Sequence, residues 1–330
     1  MKIAVIGGGS WGTSLGNMLA KKGVAVSIWV REQTLLAQFR SQHENTWYLP
    51  GVKLSENLVA SQEIEQVLDG AGAILIAIPS QFVRSVLREM RYLLPKKPVI
   101  ICASKGIEVE GLKTMSEVVA EELGGLKPSF AMLSGPSFAL EVAREMPTAV
   151  ALGCADKKLC RELQDTLTTP YFRVYTNPDV RGVELGGAVK NIIAIAAGIS
   201  DGLGYGSNAR AALITRGLAE MGRLGKAMGA KADTFMGLAG LGDLVLTCTG
   251  ELSRNRRVGL LLGEGRSLSD ILGEMKMVAE GVKTTEAVHF LAEKLSVELP
   301  ITETVYQILY EDKDADSAVK ELMTRPLKEE

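Results

Sequence analysis

In the first half of the chain, short apolar runs alternate with longer stretches in which apolar residues recur every three or four positions. The runs at 2–6, 24–29, 73–78, 98–102 and 130–133 are β-rich and bounded by Gly, Pro or charge, which predicts buried strands. Between them, 12–22, 81–94 and 114–123 carry helical spacing. Continuous apolar strands joined by helical crossovers predict a parallel sheet covered on both faces, with 148–152 and 173–175 adding strands beyond its core. The pattern changes near Asn177-Pro178. From there 179–203, 208–228, 282–295 and 301–310 read as helices with almost no strand signal, and the charged tail 320–330 reads as frayed. The expectation is two domains, 1–180 built on the sheet and 181–330 all-helical.

Length agrees with that division, because 330 residues exceed what one compact core usually holds. The 37 basic and 39 acidic side chains leave a formal charge of −2, so there is no general electrostatic footprint for nucleic acid. Any anion must be held by a few placed cations. The 4 cysteines show no CxxC pair, and the 2 histidines, His43 and His289, stand far apart. Neither a metal site nor a disulfide framework is expected, and proton transfer falls to Lys, Asp, Glu or Tyr. No window approaches the roughly 20 apolar residues of a membrane span. The opening MKIAVIGGGSWG lacks the apolar length and cleavage site of a signal peptide. The expectation is a soluble, cytoplasmic protein with no membrane partner.

Gly7-Gly8-Gly9-Ser10-Trp11-Gly12 fits GxGxxG directly after one predicted strand and at the start of a helix. Gly7 suits a tight turn, Gly9 lets backbone approach a pyrophosphate, and Gly12 lets helix and strand pack closely. The helix N-terminus supplies N–H groups and partial positive charge. The fold class expected is therefore a Rossmann-type, mainly parallel sheet domain followed by a helical C-terminal domain. Arg31 and Glu32 end the second strand, where an Arg meets a 2′-phosphate and an acid meets a ribose 2′-hydroxyl. Arg31 tilts the reading toward NADP(H), but Glu32 leaves NAD(H) open. Ala77-Ile78-Pro79-Ser80 ends another strand and reads equally as a cofactor-channel lining or a strand stop.

Four further segments place polar residues where periodicity expects core. Ser104-Lys105 follows a strand, where a lysine points into the ligand crevice, and Ser134-Gly135-Pro136-Ser137 follows another. Lys190-Asn191 interrupts a largely small and apolar helix, and a desolvated lysine titrates closer to neutrality, as a general acid–base requires. A lysine snorkelling to the surface is the plainer alternative. Asp243 precedes Thr247, and Ser253-Arg254-Asn255 combines a helix cap with a planar guanidinium, a means of gripping phosphate that also reads as a solvated helix start.

The strings GGGSWGTSLG, SKGIE, SGPSFA, ELGGAVKNIIAIAAG, GLGDLVLTC and SRNRRVG, in this order along essentially the whole chain, resemble the NAD(P)-dependent glycerol-3-phosphate dehydrogenases, most closely the bacterial cytoplasmic members that supply phospholipid synthesis. The resemblance implies that Ser10, Trp11, Arg31, Ala139, Val278 and Glu280 contact the dinucleotide. It further implies that Lys105, Gly135, Ser137, Asp243, Ser253, Arg254 and Asn255 contact substrate. Lys105 and Arg254 also serve the cofactor, and Lys190 is the acid–base residue. A homodimer acting on dihydroxyacetone phosphate and glycerol 3-phosphate is implied as well.

The chemistry agrees. Hydride addition to the central carbonyl carbon leaves negative charge on its oxygen, which a Lys190 ammonium stabilises and protonates. Lys105 would lower the Lys190 pKa and Asp243 would raise it. The reactive centre is expected between the two domains. Two rivals stay open: a reductase of another small 3-hydroxyacid or sugar acid, and a catalytically silent dinucleotide-binding sensor. A nucleophilic Cys248 is a third idea, against which a buried inert thiol is the simpler reading.

Overall fold

The computed structural model describes residues 1–275 and 277–326, and the chain divides by contact into two units. The first comprises Met1–Lys105 and Lys113–Glu184; the second comprises Gly106–Leu112 and Leu185–Glu330. The boundary falls inside the helix Val180–Gly202.

In the first unit ten strands form: β1 (Ile3–Ile6), β2 (Val26–Trp29), β3 (Glu44–Asn45), β4 (Leu49–Lys53), β5 (Leu58–Ser61), β6 (Ala73–Ile76), β7 (Val99–Cys102), β8 (Ser129–Ser134), β9 (Thr148–Cys154) and β10 (Phe172–Asn177). Eight make one sheet in the order β10-β9-β8-β7-β6-β1-β2-β5, and β3 pairs with β4 apart from it. Neighbours from β5 through β8 run parallel, as do β9 and β10. The β8–β9 pair is antiparallel. The sheet is therefore mainly parallel, with its last two strands reversed. From β1 the chain builds outward through β2 to β5, then returns to β6 on the other side of β1. Such a reversal opens a ligand crevice at the carboxyl ends of the strands. The central strands β1 and β6 are buried along their whole length, which matches their unbroken apolar runs.

The second unit has its own core, with Ile107 joined to Val189, Ile192, Ile193, Leu244, Val258 and Val288. Val109 and Leu112 pack against the same core, which is why the short segment after Lys105 groups with the helices. The long helix Val180–Gly202 meets the helix Arg254–Gly263 backbone to backbone. A Cβ on Gly198 would lie 2.0 Å from the Arg256 carbonyl oxygen, and one on Gly259 would lie 2.0 Å from that of Ile195. Gly202 and Gly263 repeat the contact one turn on. The small residues of 179–203 are thus a crossing surface, and the crossing fixes where Ser253, Arg254 and Asn255 stand relative to Asn191.

One expectation is corrected. The 23-residue helix Val180–Gly202 is long and apolar enough to cross a membrane, with a mean hydropathy of 1.4 over its most apolar window. That window is wholly buried, as in a core helix. At the tail, 320–323 belongs to the helix Ala315–Met323, and 327–330 lie outside the described residues.

Candidate active site

The glycine loop leads from β1 into the helix Ser10–Lys21. Gly7 has φ of 127°, and a Cβ there would lie 2.5 Å from the Ala77 carbonyl oxygen. A Cβ on Gly12 would lie 2.0 Å from the carbonyl oxygen of Gly7, whereas above Gly9 there is open space. Gly9 is also the helix N-cap and has no side chain to occupy the first N–H groups. Ser10 and Trp11 form the first turn, and the Trp11 Nε1–H is buried without a hydrogen-bond partner. An uncapped helix end beneath open space, beside an orphaned donor, suits a phosphate-bearing nucleotide.

Sequence reasoning missed what holds this loop. Asn45, fully buried, donates from Nδ2 to the Gly8 carbonyl oxygen and to Thr13 Oγ1, both at 2.8 Å. Thr13 in turn donates to Gly8. At the end of β2, Arg31 Nη2 pairs with Glu32 Oε1 at 3.2 Å. Both charges act on Tyr48, whose phenol is pushed up first by burial, then by Glu32, with Arg31 opposing. Tyr48 and Asn45 lie in a stretch with no periodicity, so only the fold brings them here.

Lys105 follows β7 and donates from Nζ to the Gly135 carbonyl oxygen at 2.9 Å, and Ser137 Oγ donates to the same oxygen at 2.8 Å. Three of the expected substrate contacts thus meet at one carbonyl. Ala139 lies against the glycine-loop helix, its carbonyl oxygen accepting from Ser14 Oγ at 2.8 Å. Ser104 Oγ donates to the carbonyl oxygen of Ile78, in the segment that ends β6.

In the helical unit Lys190 is buried, 6% exposed, and does not snorkel. Its Nζ donates to Asp243 Oδ1 at 2.5 Å and to Thr247 Oγ1 at 2.9 Å. Asp243 is fully buried and follows a π-helical turn, Leu238–Gly242; such turns are frequent at functional sites. Thr247 stands one turn beyond it and donates to the Asp243 carbonyl oxygen. A carboxylate in direct contact favours the ammonium form of the lysine against the cost of burial. Cys248 beside them is pushed up to about 12 by burial, which makes it an inert thiol rather than a nucleophile.

Ser253 caps the helix Arg254–Gly263 by accepting from the Arg256 N–H at 3.2 Å. Arg254 Nη1 donates to the Val278 carbonyl oxygen at 2.8 Å, and burial lowers its pKa while Glu280 opposes. The Asn255 side chain is engaged within the helical unit. Its Oδ1 accepts from the Gly281 N–H at 2.9 Å and its Nδ2 donates to Asn191 Oδ1 at 2.8 Å, so it ties the long helix to the segment that carries Val278 and Glu280. Asp201, also missed, receives Arg210 on one oxygen and Arg256 on the other, at 2.7 and 2.6 Å.

Comparison with known proteins identifies the family. Residues 2–160 match the NAD-dependent glycerol-3-phosphate dehydrogenase N-terminus, and 179–320 match the C-terminus of the same family. The chain belongs to this dehydrogenase family. It is 63% identical to glycerol-3-phosphate dehydrogenase [NAD(P)+] of Solidesulfovibrio magneticus over the whole of both chains. It is 59% identical to the same enzyme of Citrifermentans bemidjiense over 100% of this chain and 98% of that one. The crystal structure of glycerol-3-phosphate dehydrogenase from Coxiella burnetii is 47% identical and covers 98% of this chain and 99% of its own, with a TM-score of 0.95. Membership agrees with the resemblance carried by the motifs and with a sheet domain followed by helices.

Proposed function

We propose that this chain catalyses the reversible NAD(P)H-dependent reduction of dihydroxyacetone phosphate to sn-glycerol 3-phosphate, with Lys190 as general acid and base. Family membership supports the reaction. The observation that carries the residue assignment is the buried Lys190 ammonium held on Asp243 and Thr247. When bound, the nicotinamide supplies the hydride to the central carbonyl carbon in reduction and takes it back in oxidation.

The chain's own residues do the rest. Gly7, Gly9, Gly12, Ser10 and Trp11 would hold the pyrophosphate end, with Arg31, Ala139, Val278 and Glu280 completing the cofactor contacts. Lys105, Gly135, Ser137, Ser253, Arg254 and Asn255 would hold the substrate, Lys105 and Arg254 also meeting the cofactor. Lys190 places its positive charge where the carbonyl oxygen gains electrons and then donates a proton to that oxygen. In the reverse direction the neutral amine accepts the hydroxyl proton. Asp243 and Thr247 hold Nζ in place, so no reorganisation is needed when charge develops. Arg254 supplies a phosphate clamp whose binding energy orients the carbonyl at the other end of a small substrate. Asn255 contributes by fixing that end of the helix through Asn191 and Gly281.

By the same reading, the enzyme is a cytoplasmic homodimer that feeds glycerophospholipid synthesis. The family resemblance supports this, and sedimentation of the purified protein tests the dimer. The reaction is tested by following NADPH and NADH absorbance with dihydroxyacetone phosphate and identifying the product. Arg254→Ala should raise KM for the phosphorylated ketone by about 10²-fold while changing kcat less. An unchanged KM would remove Arg254 from the phosphate grip.

A further inference from the structure

We infer that Glu32 sets the choice between NADPH and NADH, by competing for the Arg31 guanidinium and by opposing a 2′-phosphate. The inference rests on the dehydrogenase reading. Arg31 stands just past β2 with its carbonyl oxygen held by Gln62 Nε2 at 2.6 Å, and the Gln62 carbonyl oxygen accepts from Trp29 Nε1 at 2.9 Å. The backbone from which Arg31 projects is therefore fixed, while its side chain is 75% exposed. Glu32 occupies the N-cap position of the helix Gln33–Gln42 but makes no capping hydrogen bond with its side chain. Its carboxylate, 27% exposed, turns to Arg31 at 3.2 Å instead. This acid is spent on the cation rather than on the helix.

At the end of the second strand the adenosine ribose is read: a 2′-phosphate asks for a guanidinium and a 2′-hydroxyl asks for a carboxylate. Arg31 and Glu32 answer both, and they also neutralise one another. A phosphate must draw Arg31 away from Glu32 and then sit beside a like charge, whereas a ribose hydroxyl meets neither penalty. The protein accordingly takes both cofactors, and Glu32 holds back the preference for NADPH that Arg31 alone would give.

Direct calorimetric titration of the purified protein with NADPH and with NADH, without substrate, tests this. Glu32→Gln removes the charge at nearly constant shape and should tighten NADPH about tenfold while weakening NADH slightly. Arg31→Gln should weaken NADPH about tenfold or more and leave NADH nearly unchanged. Arg31 is exposed and Glu32 half-buried, and circular dichroism verifies the fold of each variant. If the ratio of the two affinities stays within twofold of wild type in Glu32→Gln, the inference is wrong although the dehydrogenase reading stands. If the wild-type protein binds neither cofactor, that reading fails and this one with it.

Discussion

Replacing Asp243 by Asn keeps the shape of the group that touches Lys190 and removes its charge. At 2.5 Å, with an effective dielectric of ~20, the attraction between the two groups is about 6–7 kcal/mol before desolvation is counted. Desolvation offsets part of it, and breaking a buried pair from one side generally costs about 3–5 kcal/mol. The variant should therefore give up the Lys190 proton at a lower pH than wild type does. Reduction needs the ammonium, so the alkaline limb of its kcat profile moves toward acid, and turnover falls most at the alkaline end of the range. The assay is kcat for dihydroxyacetone phosphate reduction between about pH 5 and pH 9 at saturating cofactor. Turnover in Asp243→Asn should recover toward the acid end. An alkaline limb at the wild-type position would refute the reasoning, because it would mean that this carboxylate does not govern the charge on the amine.

Three further outcomes follow from the packing. Burial pushes the Glu184 carboxyl up to about 7 from 4.5, against hydrogen bonds from Ser116. The acid form is thus favoured by folding, a contribution complete below about pH 4.5 and lost as pH rises through about 7. Wild type should lose about 3 kcal/mol relative to Glu184→Gln across that window, read from urea midpoints at both ends; parallel midpoints would contradict it. Gly198→Ala should lower stability by about 2–3 kcal/mol, since its methyl group would lie 2.0 Å from the Arg256 carbonyl oxygen, and a loss under about 0.5 kcal/mol would show that the helices part easily. Asn45→Ala should weaken binding of NADPH and NADH alike by about tenfold, through loss of the ties to Gly8 and Thr13, with calorimetry as the readout. Unchanged affinity would mean that the loop holds its shape unaided.

Much of the fold is legible because its signals are local. The central strands are short apolar runs ended by glycine or proline, and the later helices carry unmistakable spacing. What escapes depends on tertiary contact. β5 is an edge strand with Val59 60% exposed, so its alternation is weak, and β3 with β4 is too short to leave a pattern. Residues Gly106–Leu112 group with the helices only because Ile107 is buried in their core. In the site, Lys190 stands out as a charge inside an apolar helix, and the spacing of Asp243 and Thr247 puts both on one helical face. Asn45 has no such marker, as its partners lie 37 and 32 residues earlier in the chain. The amide of Asn255 was legible as polar and near a helix start, but its use as a strut depends on Asn191 and Gly281, which only folding brings close.

The central claim, that the Lys190 amine carries the proton, is tested most directly by kcat for dihydroxyacetone phosphate reduction in Lys190→Met, with cofactor binding measured on the same preparation. The account predicts a kcat lower by about 10²–10⁴-fold with cofactor affinity within twofold of wild type. A kcat within a few-fold of wild type would contradict it and move the proton to another group.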